Sequence, residues 1–284
     1  MSAATDPRNW SRLGMELKPS MEQAAKAAGK VLLKYFGKTF EVREKLQAGL
    51  VTNADLEAEA AVIKILRKAR PDFGFLAEES GQTGATKRKK GENPDSPPEG
   101  RWIIDPLDGT TNFVHGFPMF CVSIAAEWRG QIVAGVIHHP VLNETTWAVR
   151  GKGCWVGKKQ VHVSKTSKLK DSLLTTGFTY RKRDLHLEMG PFERLSGIAR
   201  AIRRPGSAAL DLAYTARGVF DGFWERNLSP WDVAAGLLLV EEAGGKVTDF
   251  SGNEFKIDGR EILATNTKLH ELIQKTIEPE SCPI

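Results

Sequence analysis

Two aspartates and a proline lie close together near the middle of the chain. Trp102–Ile104 has the composition of a buried strand, Asp105 follows it directly, Pro106 would interrupt the strand's hydrogen bonds, and Asp108 comes three residues after Asp105. Carboxylates on both sides of a sharp turn can face one point, where their mutual repulsion would require a cation. Oxygen ligands alone suit Mg²⁺, Mn²⁺ or Ca²⁺. A simple Asx-type turn is the alternative explanation.

The three residues that follow could bind a phosphate beside such a cation. Gly109, Thr110 and Thr111 offer backbone N–H groups and hydroxyls without bulk. Groups of this kind bind anions, particularly where a helix begins. The segment therefore favours a site for a phosphorylated ligand.

Three further carboxylates stand at the ends of predicted elements. Glu78 follows the apolar run Phe75–Ala77, Asp232 falls in the first turn of a helix that Pro230 would start, and Asp55 has the spacing of a capping box. Each has an ordinary explanation, as an exposed loop, a residue that complements a helix dipole and a helix cap. Together, with no His or Cys cluster, they favour a site for several Mg²⁺ ions and a phosphate.

The composition is that of a globular protein. The chain has 284 residues, of which 41% are hydrophobic and 26% charged, and this excludes collagen-like, disulfide-scaffold and strongly disordered classes. Its net charge of +5 predicts weak attraction to anionic molecules. Residues 81–100 contain the basic run Lys87–Lys90 without interleaved aromatic residues, so we expect a solvated, mobile loop rather than a nucleic-acid site.

The cysteines and the apolar pattern predict a cytoplasmic protein. Cys121, Cys154 and Cys282 are odd in number and widely spaced, which is typical of free thiols in a reducing compartment. No basic-then-apolar leader is visible in residues 1–20, and no apolar run approaches the ~20 residues of a membrane span. We therefore expect no membrane association.

Hydrophobic periodicity predicts mixed layers of helices and strands, an α/β (α+β layered) fold. In the first half we expect helices at Ser20–Phe36 and Thr52–Arg70 and strands at Gly74–Ala77, Trp102–Ile104, Val122–Trp128, Ile132–His138 and Thr145–Val149. In the second half strands alternate with helices: the strands are Leu173–Gly177, Ala201–Arg203, Gly222–Glu225, Lys246–Asp249 and Glu261–Ala264, and the helices are His186–Arg200, Ser207–Arg217, Pro230–Ala243 and Thr267–Ile277. We expect one catalytic domain over residues 15–278, with an α+β half at about 15–165 and an α/β half at about 166–278.

Several of these segments, in this order, resemble the signature motifs of the inositol monophosphatase family. They are Glu78–Ser80, Trp102–Phe113, and Trp231–Gly236 with Glu242–Gly245. Arg204–Tyr214 is similar to the bacterial SuhB-like branch of the family, and the resemblance extends over residues 15–277. It implies alternating α-β-α-β-α layers of the inositol monophosphatase / fructose-1,6-bisphosphatase type. It also implies a lithium-sensitive hydrolase that uses Mg²⁺ to cleave myo-inositol 1-phosphate and related polyol monophosphates.

The resemblance also implies a role for each matching residue. Glu78, Asp105, Asp108 and the Leu107 carbonyl would hold a first Mg²⁺; Asp105, Asp108 and Asp232 a second; and Glu78 with water a weaker third, with Mn²⁺ as an alternative ion. The pair that would orient and deprotonate the attacking water is Asp55 and Thr110, so that Asp55, Thr110 and Glu78 form the catalytic set.

The substrate contacts follow in the same way. With Asp108, the phosphate cradle would be Gly109, Thr110 and Thr111. Ala208 and Glu225 match positions that contact the polyol hydroxyls, with Gly206 and Ser207 beside them.

Two alternatives to this function remain open. One is a broad sugar-phosphate phosphatase that also accepts fructose 1,6-bisphosphate. The other is a regulatory partner of transcription antitermination complexes, as in SuhB-like proteins, which the basic run Lys87–Lys90 could support. The resemblance further implies a homodimer, for which Leu173–Leu174, Phe192 and the helix after Gly206 could supply an interface.

Overall fold

Five layers make up the fold, in the order helix, sheet, helix, sheet, helix. The computed structural model describes residues 7–38, 42–45, 49–86, 98–179 and 184–278. The helices in these ranges are α1 (Pro7–Tyr35), α2 (Asn53–Ala69), α3 (Thr110–Val114), α4 (His186–Ser196), α5 (Ala208–Ala216), α6 (Pro230–Glu242) and α7 (His270–Ile277). The layered α/β fold expected from the sequence is confirmed.

The larger sheet has eight strands. They are β3 (Gly74–Ala77), β4 (Gly81–Thr83), β5 (Gly100–Asp108), β6 (Cys121–Trp128), β7 (Gln131–His139), β8 (Glu144–Val149), β9 (Cys154–Val156) and β10 (Lys159–Val161). Their spatial order is β10-β9-β8-β7-β6-β5-β3-β4, and β3 pairs with β5 in parallel while the other neighbours are antiparallel. A separate hairpin of β1 (Val42–Lys45) and β2 (Gly49–Thr52) precedes α2.

The smaller sheet has five strands. They are β11 (Leu173–Thr176), β12 (Ala201–Arg203), β13 (Gly222–Arg226), β14 (Gly245–Thr248) and β15 (Glu261–Asn266). Their spatial order is β12-β11-β13-β15-β14. The first three strands are parallel to one another, and β15 pairs antiparallel with both of its neighbours, β13 and β14. The parallel strands end at the same edge of the sheet, which faces the cavity described below.

Helix α1 is longer than the sequence predicted, because it begins at Pro7 rather than Ser20 and continues through Pro19. A proline removes one helical hydrogen bond, to the carbonyl four residues before it. That carbonyl belongs to Met15, which lies on the solvent side with 44% of its surface exposed, so water can replace the lost donor. On the opposite side Leu17 is buried and Trp10 and Leu13 pack against the core, which stabilises the extra turns.

The central layer consists of α5 and α6, which are covered on both sides. One continuous core joins Ile103 and Ala125 of the larger sheet, through these helices, to Phe223 and Ala264 of the smaller sheet. A helix that is hydrophobic on all sides is expected in such a place. Small residues let the layers approach closely: a Cβ atom on Gly135 would lie 2.8 Å from the Ala235 carbonyl oxygen.

The outer helices α4 and α7 cover the far face of the smaller sheet. Leu174 is fully buried in their core, and α5 is buried between the sheets. Leu174 and most of α5 therefore use their apolar surface within the chain, and the dimer interface that the sequence suggested stays a prediction. Helix α4 also ends at Ser196 rather than Arg200, and α7 begins at His270 rather than Thr267.

Two predictions about surface segments have mixed outcomes. Residues 81–100 were expected to be a loop, but Gly81–Thr83 forms edge strand β4 beside β3. The basic run Lys87–Lys90 and Cys282 lie outside the described residues, and the division of the domain near residue 166 stays a prediction.

None of the helices in the described ranges is both long and apolar enough to cross a membrane.

Candidate active site

The predicted acids from distant parts of the sequence meet in one cavity of about 290 Å³. Its wall contains five carboxylate side chains, which are those of Glu78, Asp105, Asp108, Glu225 and Asp232. The same wall contains the predicted phosphate and polyol residues, which are Gly109, Thr110, Thr111, Gly206, Ser207 and Ala208, and also Leu107. Asp55 does not line the cavity, but its carboxylate lies 3.5 Å from the hydroxyl of Thr110, which does.

The turn after Ile104 places Asp105 and Asp108 on the cavity wall. The register between β5 and β6 shifts between these two residues, as expected for a strand interrupted by Pro106. The Leu107 N–H donates to Asp105 Oδ1 at 2.9 Å, which fixes the carboxylate within its own turn. Gly109 then adopts a φ of +96°, and a Cβ there would lie 2.8 Å from the Met119 carbonyl oxygen. Only glycine fits at this start of α3.

Glu78 reaches the site through the one parallel pair of the larger sheet. Ala77 on β3 is in register with Ile104 on β5, so the next residues, Glu78 and Asp105, lie side by side. The Glu78 N–H continues the ladder by donating to the Ile104 carbonyl at 3.1 Å. The parallel register thus accounts for the meeting of the two carboxylates, which the sequence spacing alone could not show.

Asp108 is fixed by the N-terminus of α5. Its Oδ2 accepts hydrogen bonds from the Ser207 hydroxyl at 2.6 Å and from the Ala209 N–H at 2.7 Å. Burial raises the pKa of Asp108 to about 6, although the bonds from Ser207 and Ala209 act in the opposite direction. Ser207 also begins α5 as its cap, so the helix start and the carboxylate position each other.

Asp232 both caps α6 and takes part in the acidic cluster. Its Oδ2 accepts the Ser229 N–H at 2.7 Å, so it forms a capping box with Ser229, whereas the sequence suggested only that it complements the helix dipole. Burial and then repulsion from Asp108 raise its pKa well above the usual range of a carboxyl group. Burial, followed by repulsion from Glu78, Asp108 and Asp232, does the same for Asp105. The cavity thus carries an excess of negative charge.

Asp55 and Thr110 meet although they are 55 residues apart in the chain. Asp55 is fully buried, and its Oδ2 accepts from both the Thr52 N–H, at 2.9 Å, and the Thr52 hydroxyl, at 2.6 Å. Its Oδ1 lies 3.5 Å from the Thr110 hydroxyl oxygen, which also lies 3.1 Å from the Leu107 carbonyl. The capping box predicted for α2 is present, and it turns one oxygen of Asp55 toward Thr110.

The end of the cavity away from Asp105 is built by the smaller sheet. Glu225 lies near the end of β13, beside Gly177, which follows β11. Its carboxylate lies over that glycine, because a Cβ on Gly177 would be 2.2 Å from the carboxylate atoms. Burial raises the pKa of Glu225 well above the usual range. The sequence analysis missed Gly177 and its neighbours Phe178 and Thr179 in the wall. Their position at the carboxyl end of a parallel strand is the signal that could have identified them.

Asn112 joins the two ends of the cavity. Its side-chain amide donates to the carbonyls of Met119 and Pro205, each at 2.7 Å. Gly206, which follows Pro205, has a φ of +84°. A Cβ atom on Gly206 would lie 3.1 Å from the side-chain amide nitrogen of Asn112. This contact holds the loop before α5 against α3, and the sequence analysis did not identify it.

The donor set fits a divalent metal such as Mg²⁺ or Mn²⁺ in its chemistry. Every acid in the cluster offers hard oxygen atoms, and the pKa values of Asp105, Asp108 and Asp232 are raised first by burial and then by repulsion within the cluster, both of which a bound cation would offset. Among the described residues, no group of three or more His, Cys, Asp or Glu side chains is already arranged as a metal site. Metal binding would therefore involve adjustment of these carboxylates.

Two of the three cysteines are free thiols, as predicted. Cys121 and Cys154 are buried and unpaired. Cys121 lies below the acidic cluster, with its Sγ 3.9 Å from Asp108 Oδ2. Burial and the charges of Asp108 and Asp105 raise the pKa of this thiol well above its usual value, so it stays protonated at neutral pH.

Comparisons with known proteins agree on one family. The model of the inositol monophosphatase family matches residues 16–281. An inositol-1-monophosphatase of Caulobacter vibrioides is 41% identical over 259 residues, which is 89% of this chain and 97% of the relative. A protein of Pseudomonas aeruginosa named Nus factor SuhB is 41% identical over 92% of this chain and 95% of its own. The crystal structure of the extragenic suppressor protein suhB from Bartonella henselae superposes with a TM-score of 0.86 at 40% identity, covering 93% of this chain and 98% of that one.

Proposed function

This chain belongs to the inositol monophosphatase family, and from that premise we propose that it is a Mg²⁺-dependent phosphomonoesterase that hydrolyses myo-inositol 1-phosphate and related polyol monophosphates. The observation that carries the proposal is the position of the Asp55–Thr110 pair beside a cavity lined by five carboxylates, four of which are the proposed metal ligands. The pair can take a proton from water, and the cluster can hold the cations that phosphoryl transfer requires.

Oxygen atoms of this chain would hold two to three Mg²⁺ ions. We assign Glu78, Asp105, Asp108 and the Leu107 carbonyl to the first, the two aspartates with Asp232 to the second, and Glu78 to a weaker third. Bound there, divalent cations lower the pKa of water and offset the charge of the leaving alkoxide. The contacts that fix Asp105 within its own turn and Asp108 at the start of α5 would keep these oxygens oriented before substrate binds.

Asp55 and Thr110 would activate the attacking water. Because Thr52 occupies Oδ2 of Asp55, only Oδ1 faces Thr110. A water that donates to the Thr110 hydroxyl can pass its proton along this pair as it attacks phosphorus. The buried position of Asp55 excludes bulk water from the acceptor side.

The two ends of the cavity would bind the two parts of the substrate. Gly109, Thr110 and Thr111 surround the phosphate with N–H and hydroxyl donors at the start of α3, beside Asp108. Glu225, Gly206, Ser207 and Ala208 line the polyol end. Carboxylate oxygen and backbone groups are suited to the hydroxyls of a polyol.

A phosphatase panel with and without Mg²⁺ tests the proposal. We expect activity that depends on Mg²⁺, is inhibited by Li⁺, and has a higher kcat/KM for myo-inositol 1-phosphate than for fructose 1,6-bisphosphate. A clear preference for the bisphosphate would favour the broad sugar-phosphate phosphatase instead. An Asp105→Asn variant should lose activity under every condition, and retained turnover would contradict the assigned site.

A second candidate function is contact with transcription antitermination complexes, and it is supported by the name of the Pseudomonas relative, a Nus factor. A pull-down of transcription proteins with the Asp105→Asn variant separates the two functions. Retained binding without turnover supports a second role, whereas no binding removes it.

Two smaller expectations accompany this function. We expect a homodimer. Light scattering that gives the mass of a single chain at micromolar concentration would contradict this expectation. The buried free thiols Cys121 and Cys154 support the cytoplasmic location that we propose.

A further inference from the structure

Glu59 is a buried acid outside the cavity, and no role has been assigned to it so far. It lies on α2, one turn after Asp55, and only 4% of its surface is exposed. Its two carboxylate oxygens accept hydrogen bonds from consecutive backbone N–H groups, those of Glu79 and Ser80, each at 2.9 Å. Burial of a carboxylate is costly, and here both oxygens are satisfied by one short segment of backbone.

The segment that Glu59 binds is the turn that carries Glu78. Strand β3 ends at Ala77 and β4 begins at Gly81, so only three residues form the turn between them. On one side of the turn the Glu78 N–H donates to the Ile104 carbonyl, which directly precedes Asp105. On the other side the next two N–H groups are held by Glu59. The backbone of Glu78 is therefore fixed from both sides.

The same helix also positions Asp55. Residues four apart lie on one face of a helix, so Asp55 and Glu59 point from α2 toward the larger sheet together. Asp55 meets Thr110 after β5, and Glu59 meets the turn after β3. One helix face thus contacts both strand ends that form the cavity.

We propose that Glu59 is a positioning residue that sets the place of the Glu78 carboxylate, so that a single helix aligns the water-activating pair with the metal ligands. The inference rests on the proposed function in one respect, the role of Glu78 as a metal ligand. It does not require Glu59 to touch metal or substrate.

The test is Glu59→Gln compared with Glu57→Gln. Glutamine keeps the size of the side chain, but its amide group would face a backbone N–H, so one hydrogen bond becomes a contact between two donors. Glu57 is the matched control, because it lies on the same helix, is exposed, and accepts a hydrogen bond from the Tyr35 hydroxyl. Glu59→Asp serves as a second variant that keeps the charge if Glu59→Gln does not fold.

Four measurements are made on each variant: Mn²⁺ affinity by electron paramagnetic resonance, hydrogen exchange of the Glu79 and Ser80 amides, kcat as a function of Mg²⁺ concentration, and melting in chelator to check that the variant folds. In Glu59→Gln we expect Mn²⁺ affinity to fall about 10- to 100-fold, the range usual for groups that orient metal ligands. Both amides should exchange faster, and the Mg²⁺ concentration for half activity should rise by more than kcat falls. Glu57→Gln should match the wild type in all of these.

Several outcomes would overturn the inference. Unchanged Mn²⁺ affinity in a folded Glu59→Gln protein, even with faster amide exchange, would reduce Glu59 to a structural role. If the Glu79 and Ser80 amides exchange equally slowly in Glu59→Gln and in the wild type, the contact with Glu59 is not formed in solution. If the wild type binds Mn²⁺ but hydrolyses none of the phosphate esters, the proposed function fails, whereas weaker Mn²⁺ binding in Glu59→Gln would still support the positioning role.

Discussion

Replacement of Asp232 by asparagine separates a metal ligand from a helix cap. The Asp232 carboxylate accepts the Ser229 N–H at 2.7 Å, and the side-chain oxygen of asparagine can accept the same bond. Aspartate and asparagine are comparable caps, so the loss of charge at the helix start should cost only ~0.3–1 kcal/mol. If capping were the whole role of Asp232, turnover would be nearly unchanged.

The acidic cluster predicts a much larger effect on turnover. Removal of one anionic oxygen from the second metal site should cost about 4 kcal/mol of transition-state stabilisation, since a metal at a developing alkoxide supplies several kcal/mol. At 1.36 kcal/mol for each factor of ten, this is roughly a thousandfold loss in kcat. The metal-free protein should become more stable, because repulsion from Asp232 contributes to the raised pKa of Asp105.

The assay is kcat as a function of Mg²⁺ concentration, together with a thermal melt in chelator. We expect Asp232→Asn to need more Mg²⁺ for half activity and to melt in chelator no lower than the wild type. Glu271→Gln is the control, since Glu271 is an acid in the first turn of α7, far from the cavity in the fold. Near-normal kcat at ordinary Mg²⁺ would refute the reasoning and leave Asp232 as a cap.

Three further changes test other parts of the site and fold. Gly177→Ala places a methyl group on the Glu225 carboxylate, so the KM for myo-inositol 1-phosphate should rise about tenfold, with a smaller change in kcat, in steady-state kinetics. Ser207→Ala removes the hydroxyl bond to Asp108 and the cap of α5; unfolding in urea should show a loss of about 1–2 kcal/mol, and kcat/KM should fall. Burial lowers the pKa of His270 to about 4, so its contribution to stability is complete well above pH 6.5 and is lost as the pH falls toward 4. The loss between pH 7 and 4.5 should amount to a few kcal/mol, and urea unfolding of His270→Gln should show a weaker pH dependence.

Each of these three predictions has a result that would contradict it. An unchanged KM in Gly177→Ala would mean that Glu225 does not contact the substrate. Equal stability of Ser207→Ala and the wild type would remove the capping role of Ser207. If His270→Gln and the wild type lose stability equally between pH 7 and 4.5, another group titrates there, and His138, whose pKa is also lowered to about 4, is the first to examine.

Local chemistry made several features predictable from the sequence. Thr52 and Asp55 are three residues apart, and the capping box formed as expected because it depends only on that spacing. Pro106 interrupts β5 because proline lacks an N–H group wherever it lies. The start of α6 at Pro230 was correct for the same kind of reason.

Features that depend on packing between layers were not predictable. The first helix was expected to begin only at Ser20, yet solvent on one side and the core on the other allow α1 to run from Pro7 through Pro19. Asn112 contacts Pro205, which is 93 residues away, and Glu59 contacts Glu79, which is 20 residues away. Nothing in the local sequence of either residue indicates its partner. The resemblance to a family supplied the site residues, but it did not show which groups hold them in place.

The layered arrangement divides hydrolysis and substrate choice between different parts of the chain. The groups that would cleave the phosphate ester come from α2, the larger sheet and the starts of α3 and α6, whereas Gly177 and Glu225 lie at the carboxyl ends of two strands of the smaller sheet. Substitutions at the carboxyl ends of β11 and β13 could therefore change which alcohol fits while the acids proposed to bind cations stay in place. A duplicated copy of such a gene could acquire a new substrate in a few steps, each of which leaves a working hydrolase.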